Sequence, residues 1–115
     1  RVQRGDGFVT VESHLDLATP VLSAGTVVLV ECLGMWINNM IYHGKTDDEI
    51  IAHTSKLLAE ADNIVFVLTD VSGGIVSENP DVRRYVDLCG IIGQMVATAC
   101  DEVYLCAVGL SVRMK

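Results

Sequence analysis

The chain has 115 residues, half of them hydrophobic and 20% charged, and its formal net charge is −7. This length and composition predict a globular chain with a core of its own. The acidic balance disfavours nucleic-acid binding, because a negative surface repels a phosphate backbone. No apolar run approaches a membrane span in length. The four cysteines lack C-x-x-C spacing, so we expect reduced core thiols and a cytoplasmic protein.

Strand-like and helix-like segments alternate along the chain. After a loop over residues 1–7, the pattern predicts strands over residues 8–12, 26–30, 64–68 and 102–108 and a last short strand over 112–115. It predicts helices over residues 14–22, 33–42, 47–61 and 80–99, with Pro20 expected to break the first. We therefore predict a single α/β domain with a mainly parallel sheet and flanking helices.

Short sequence motifs predict where two of the helices begin. Thr46 and Glu49 have the spacing of a capping box. Asn79 suits an N-cap and Pro80 the first helical position of the long helix.

One predicted strand ends in an acid. Four apolar residues precede Glu31, as in the Walker B strand that holds a carboxylate near nucleotide-bound Mg²⁺. The pattern is equally compatible with an ordinary buried strand, and no G-x-x-x-x-G-K-[ST] motif occurs in the 115 residues.

The segment over residues 69–94 joins a buried strand, a glycine-bearing polar loop and a helix start. Ligands of α/β proteins commonly bind at such a junction, although an ordinary loop and core helix fit the pattern as well. The three histidines are scattered, which disfavours a zinc site.

Three segments carry a resemblance to a known family. Residues 28–41 read VLVECLGMWINNMI against a family pattern of roughly LLVDCLTxWLxNLL. Residues 68–79 read LTDVSGGIVSEN against the signature loop TNEVGxGIVPEN. Residues 82–115 keep the register of ARxFRDxxGRxNQxLAxxADEVxLVVAGLPLxLK. The chain resembles the larger, C-terminal part of the bifunctional adenosylcobinamide kinase/adenosylcobinamide-phosphate guanylyltransferases of cobalamin biosynthesis.

The resemblance implies a RecA-like fold, as in P-loop NTPases, that is N-terminally incomplete in this chain. It implies phosphorylation of adenosylcobinamide, then transfer of GMP from GTP through a guanylated histidine. That histidine would precede Arg1. The implied cofactors are GTP or ATP with Mg²⁺, and the implied partners are adenosylcobinamide and a guanine nucleotide.

Site residues follow from the same resemblance. Arg1, Val2, Gln3 and Arg4 would flank the nucleotide. Glu12 matches the guanine-contacting acid, and a carboxylate can accept two hydrogen bonds from the guanine edge. Glu31 matches the acid that serves the metal or the phosphates. From the signature loop, the resemblance adds four residues to the implied site: Asp70, Gly74, Glu78 and Asn79.

Several positions depart from the family pattern. They include Gly34, where the family has a small polar residue, and Thr69, Asp70, Ser77, Val86, Ile91 and Gly93. Losing charge-assisted contacts costs roughly 1.5–3 kcal/mol each. Two functions therefore remain compatible with the sequence: a catalytic domain, and a non-catalytic domain that serves assembly or ligand binding. Without a phosphate loop we expect no kinase activity from these 115 residues alone, and uncovered apolar surface favours a homo-oligomer.

Overall fold

The computed structural model describes residues 2–115, with side chains from residue 5 onward. It is a mixed α/β structure with a small parallel sheet. After a 3₁₀ helix over Val2–Gly7, the elements are α1 (Ala18–Ser23), β1 (Val28–Val30), α2 (Leu33–Tyr42), α3 (Asp47–Glu60), β2 (Ile64–Phe66), α4 (Pro80–Ala99), β3 (Tyr104–Ala107) and β4 (Leu110–Arg113). Among these residues, every helix falls short of the length and hydrophobicity that a membrane crossing requires.

Strands β1 and β2 pair in parallel, with Val28 opposite Ile64 and Val30 opposite Phe66. The prediction of these two strands is confirmed, although each is three residues long rather than five. Beyond the ladder, the Val67 amide donates to the Val30 carbonyl at 3.0 Å, which continues the pairing past β2. The helical layer between the two strands supplies the long crossover that parallel pairing requires.

Helices α2, α3 and α4 build the core against one face of this sheet. Helix α4 packs against both α2 and α3. The largest fully buried side chains come from these three helices: Leu33, Ile37, Ile50, Leu57, Leu88 and Ile92. The other face of the sheet stays more open, since Leu29 and Val65 are 41% and 50% exposed.

The helix starts that the sequence predicts are confirmed. Thr46 and Glu49 form both hydrogen bonds of a capping box, at 2.8 and 3.1 Å. The Asn79 side chain accepts from the Asp81 amide at 2.9 Å, and Pro80 begins α4. These motifs involve residues within three positions of one another, so local chemistry alone specifies them.

The strand predicted over residues 102–108 is present as β3, but it does not join the parallel sheet, so parallel pairing is limited to β1 and β2. Strand β3 pairs antiparallel with β4 in a sheet of its own. Val108 and Gly109, between the strands, have φ of 47° and 77°. Two successive positive φ values are the mark of a type I′ hairpin turn, which returns the chain at once to the preceding strand. Lys115 anchors the hairpin to α4, because its Nζ donates to the carbonyls of Ala97 and Thr98 at 3.0 and 2.9 Å.

The prediction of a strand over residues 8–12 is also wrong. This stretch is irregular, and Val9 and Val11 are 94% and 67% exposed. Alternation alone does not make a strand when no neighbouring strand completes its hydrogen bonds. The helix predicted over residues 14–22 is shorter, Ala18–Ser23, and Pro20 lies in its first turn. Proline is tolerated there because the first amides of a helix have no intrahelical acceptor.

Replacing Thr46 with alanine tests the capping box. We expect Thr46→Ala to lower the free energy of unfolding by about 1 kcal/mol, since the Glu49 amide loses its acceptor. Thr46→Ser keeps the hydroxyl oxygen and serves as the control. Urea denaturation measures both variants, and equal stabilities for the alanine and serine variants would contradict the role of the cap.

Candidate functional site

The carboxyl ends of β1 and β2 lie at the same edge of the parallel sheet. Glu31 directly follows β1, and residues 67–70 directly follow β2. The Leu33 amide donates to the Val67 carbonyl at 2.8 Å, so the chain leaving β1 stays bonded to the chain leaving β2. This edge is where open parallel sheets bind ligands. We call it the carboxyl edge and define it by residues 31–34 and 67–79.

Glu31 is exposed at this edge, immediately before the start of α2. The sequence therefore correctly predicts an acid at the carboxyl end of a parallel strand. Its role toward a metal or a phosphate stays a prediction.

The signature loop begins with a turn built on Asp70. One carboxylate oxygen of Asp70 accepts from the Ser72 amide at 2.9 Å and from the Ser72 hydroxyl at 2.6 Å. These hydrogen bonds lower the pKa of the Asp70 carboxyl. Gly74 then takes a φ of 101°, which L side chains rarely adopt. Asp70 and Gly74 therefore determine the backbone conformation of the loop, and both are exposed to solvent.

The end of the loop is held by Arg83 on the first turn of α4. Its Nη1 donates to the carbonyls of Ser77 and Glu78, both at 2.8 Å. Asn79 completes this end as the N-cap of α4. Glu78 contributes its backbone carbonyl here, a role that sequence reasoning does not reveal.

Arg84 ties the start of α4 to the start of α3. Its Nε donates to Asp47 at 2.7 Å and its Nη2 to the Lys45 carbonyl at 2.7 Å. An exposed ion pair contributes little stability by itself, but the second hydrogen bond fixes the orientation of the guanidinium.

Tyr85 brings a hydroxyl group from α4 to the start of α2. A Cβ atom placed on Gly34 would lie 2.8 Å from the Tyr85 hydroxyl oxygen. Burial, followed by a hydrogen bond with the Cys89 thiol, raises the pKa of Tyr85 to about 12. The hydroxyl therefore stays protonated at neutral pH and can donate a hydrogen bond. In the sequence, Tyr85 reads only as part of the apolar stripe of α4.

The amino-terminal predictions are only partly covered by the structure. Arg1 lies outside the described residues, as do the side chains of Val2, Gln3 and Arg4. Glu12 is exposed in the irregular stretch before α1, so it does not end a strand. That it faces the same ligand as Glu31 stays a prediction.

The cysteines are all free thiols, but they are not all in the core. Cys89 is buried, Cys32 and Cys100 are partly buried, and Cys106 is exposed on the hairpin. Burial raises the pKa values of the Cys89 and Cys100 thiols. Across residues 2–115, no group of three or more His, Cys, Asp or Glu side chains is arranged to hold a metal ion.

Two cavities lie away from the carboxyl edge. A groove of about 440 Å³ between α3 and α4 is lined by Ser55, Leu58, Ile91, Gln94, Met95 and Thr98. A pocket of about 280 Å³ is lined by Leu15, Asp16, Met40, Lys45, Glu49 and His53. The groove is largely apolar and has no charged side chain to meet a phosphate.

His53 packs against Trp36, with ring centroids 5.1 Å apart, and its Nε2 is buried without a hydrogen-bond partner. Burial lowers the pKa of His53, an effect that nearby Lys56 reinforces and Asp16 opposes. The Trp36 indole in turn donates to the Leu15 carbonyl at 2.8 Å. This cluster fastens the segment before α1 to α2 and α3.

Comparison with known proteins decides the family. The family profile described as cobinamide kinase / cobinamide phosphate guanyltransferase matches residues 1–114. The chain belongs to this family.

Three curated relatives are each 31% identical to the chain. Two are named bifunctional adenosylcobalamin biosynthesis protein CobU, from Salmonella typhimurium and Escherichia coli, and the third is the CobP protein of Pseudomonas aeruginosa. The alignments cover 89%, 100% and 100% of this chain. They cover 66%, 74% and 70% of the relatives, so the chain spans about two thirds to three quarters of their length.

His53 gives the stability a predicted dependence on pH. Its folded pKa lies below the ordinary value of 6.5, so the unfolded chain binds a proton more readily as the pH falls. Its contribution to stability is fully present above pH 6.5 and is lost as the pH drops below that value. We expect the melting temperature to fall less between about pH 7 and pH 5 in His53→Gln than in the unmodified chain. The exposed His14→Gln variant is the control, and equal slopes for His53→Gln and the unmodified chain would rule out the effect.

Proposed function

We propose that this chain is the guanine-nucleotide-binding part of a cobinamide kinase/guanylyltransferase that acts in cobalamin biosynthesis. The observation that carries the proposal is the shared carboxyl edge. Glu31, the start of α2 and the signature loop meet there, in a chain whose family is defined by cobinamide and nucleotide chemistry. The RecA-like architecture belongs to the same proposal and is supported by the parallel pairing of β1 and β2.

The reaction has two steps. In the first, a nucleoside triphosphate donates its terminal phosphoryl group to the hydroxyl of the aminopropanol arm of adenosylcobinamide. In the second, GTP gives its GMP unit to a histidine and releases pyrophosphate, and the phosphate of adenosylcobinamide phosphate then takes that unit to form adenosylcobinamide-GDP. By resemblance, the histidine precedes Arg1. Arg1, Val2, Gln3 and Arg4 are proposed to flank the nucleotide.

The residues at the carboxyl edge fit a Mg²⁺ ion bound largely through substrate. Mg²⁺ commonly keeps several waters and takes one or two carboxylates plus phosphate oxygens. Glu31 is an exposed carboxylate at this edge, and the described residues hold no group of three or more side chains arranged as an all-protein cage, so binding largely through substrate is the arrangement that fits. Glu31 would hold the ion directly or through water, and the ion would neutralise phosphate charge.

We propose that Glu12 recognises guanine through hydrogen bonds. Guanine offers two donors on one edge, N1–H and the 2-amino group, which match the two oxygens of a carboxylate. Adenine offers an acceptor at N1 and no 2-amino group, so the carboxylate would face an acceptor. Leaving the carboxylate charge without donors costs more binding free energy than the matched pair gains. The preference for guanine over adenine is therefore expected to be strong.

A non-catalytic role is the second candidate, and the surface of α4 favours it. The family pattern has arginines at positions 86 and 91, where this chain has Val86 and Ile91. Ile91 is 44% exposed and lines the groove between α3 and α4 together with Leu58 and Met95. An apolar groove in place of a charged one suits assembly, including a homo-oligomer, more than phosphate binding.

Titration with GTP and ATP tests the proposal and separates the two candidates. We expect the chain with Mg²⁺ to bind GTP more tightly than ATP. In Glu12→Gln the preference should fall by roughly tenfold or more, because the amide pairs less well with two guanine donors. The control is Glu102→Gln, at an exposed acid before the hairpin. Calorimetry measures the affinities.

Equal affinities for GTP and ATP, or an unchanged preference for GTP over ATP in Glu12→Gln, would remove Glu12 from the site. Absence of any nucleotide binding would favour the non-catalytic role.

A further inference from the structure

The signature loop presents two consecutive apolar side chains to solvent at its apex. Ile75 is 101% exposed and Val76 is 78% exposed, and no large apolar side chain in the described part of the chain is more exposed than Ile75. Gly73 and Gly74 precede them, and apart from chain neighbours no atom lies within 4 Å of a Cβ built on either glycine. An apolar apex of this kind contributes nothing to the core, so it gains free energy only when a ligand or partner covers it.

Hydrogen bonds hold both ends of this apex. At the first end, the Asp70 carboxylate accepts from the amide and the hydroxyl of Ser72, at 2.9 and 2.6 Å. At the second end, Arg83 Nη1 donates to the carbonyls of Ser77 and Glu78, both at 2.8 Å. Because both ends are held, the apex loses less conformational entropy when a ligand binds to it.

The apex belongs to the carboxyl edge. Its loop directly follows β2, and β2 pairs with β1, which Glu31 follows. In the proposed reaction, the hydroxyl of cobinamide and then its phosphate must approach the phosphorus atoms of the nucleotide at this edge, to about 3–3.5 Å. The corrinoid therefore has to lie against the carboxyl edge, beside the exposed loop.

The chemistry of the apex matches one reactant of that reaction. The side chains of Ile75 and Val76 have neither charge nor a hydrogen-bonding group, so they offer nothing to a triphosphate. Cobinamide carries a large macrocycle with apolar faces and uncharged amide groups at its rim. Branched aliphatic side chains can cover such a face, and the gain in free energy grows with the apolar area removed from water.

We propose that Ile75 and Val76 form the corrinoid-contacting surface of the carboxyl edge, and that Arg83 is the positioning residue that holds this surface in place. The inference rests on the proposed function, because it takes cobinamide and its phosphate as substrates. Arg83 acts through the two loop carbonyls that it binds and does not touch the corrinoid. One surface serves both steps, since the corrinoid is the acceptor in each.

Equilibrium dialysis of adenosylcobinamide, read by its visible absorption with Mg²⁺ and a non-hydrolysable GTP analogue present, tests the surface. We expect Ile75→Ser to weaken adenosylcobinamide binding by about tenfold or more, because less apolar area is covered, while Ile75→Val keeps most of the affinity. The control is Val108→Ser, at a valine that is 95% exposed between β3 and β4, and it should bind as the unmodified chain does. The affinity of Ile75→Ser for GTP, measured by calorimetry, should be unchanged.

A double-mutant cycle with Arg83→Gln tests the positioning role. Arg83→Gln alone should weaken adenosylcobinamide binding by about three- to tenfold, because the apex loses its second support, and should leave the affinity for GTP unchanged. In the Ile75→Ser background the same substitution should have little further effect, because the contact that it positions is already lost. Fully additive losses, or a loss of GTP affinity in Arg83→Gln, would overturn the positioning role.

The outcomes separate this inference from the proposed function. If the unmodified chain binds GTP, then equal adenosylcobinamide affinities for Ile75→Ser and the unmodified chain, or no adenosylcobinamide binding at all, overturn the corrinoid surface and leave the nucleotide site standing. A lower GTP affinity in Ile75→Ser would assign the apex to the nucleotide instead. A changed sedimentation coefficient in Ile75→Ser would assign it to contact between copies of the chain, and either result overturns the inference. If the chain binds neither ligand, the proposed function fails as well.

Discussion

The parallel pairing of β1 with β2 is the constraint on which the site depends. The ladder is only three residues long on each strand, but it forces both strands to end at one edge. Residues that are far apart in the sequence, Glu31 and the loop starting at Asp70, are thereby brought to the same side of the molecule. The hydrogen bond from Leu33 to Val67 extends this constraint beyond the ladder and positions the start of α2.

Features specified by neighbouring residues could be predicted from the sequence. Thr46 with Glu49, and Asn79 with Pro80, fix helix starts through bonds that span a few positions, and the structure has both. The two parallel strands were also predictable, because continuous apolar runs suit strands that pack under helices, although Leu29 and Val65 on the open face of the sheet are not buried. The family itself was recognisable because residues 68–79 and 82–115 keep the family register along the chain.

Features that depend on distant contacts could not be predicted in the same way. Strand β3 reads as an apolar run like β1, but the positive φ of Val108 sends the chain into a hairpin, and valine rarely takes that conformation. Residues 8–12 alternate as a strand does, yet they lack a pairing partner. The roles of Arg83 and Tyr85 are equally invisible in the sequence, because each arises from where α4 places its first turns.

The central claim is that a guanine nucleotide binds at the carboxyl edge. The most direct measurement is a titration of the isotope-labelled chain with GTP and Mg²⁺, followed through the backbone amide signals in the nuclear magnetic resonance spectrum. The account predicts that the largest shifts cluster at the carboxyl edge, in residues 31–34 and 67–79, where the ends of β1 and β2 meet. Shifts confined to the groove between α3 and α4, or no shifts at millimolar nucleotide, would contradict it.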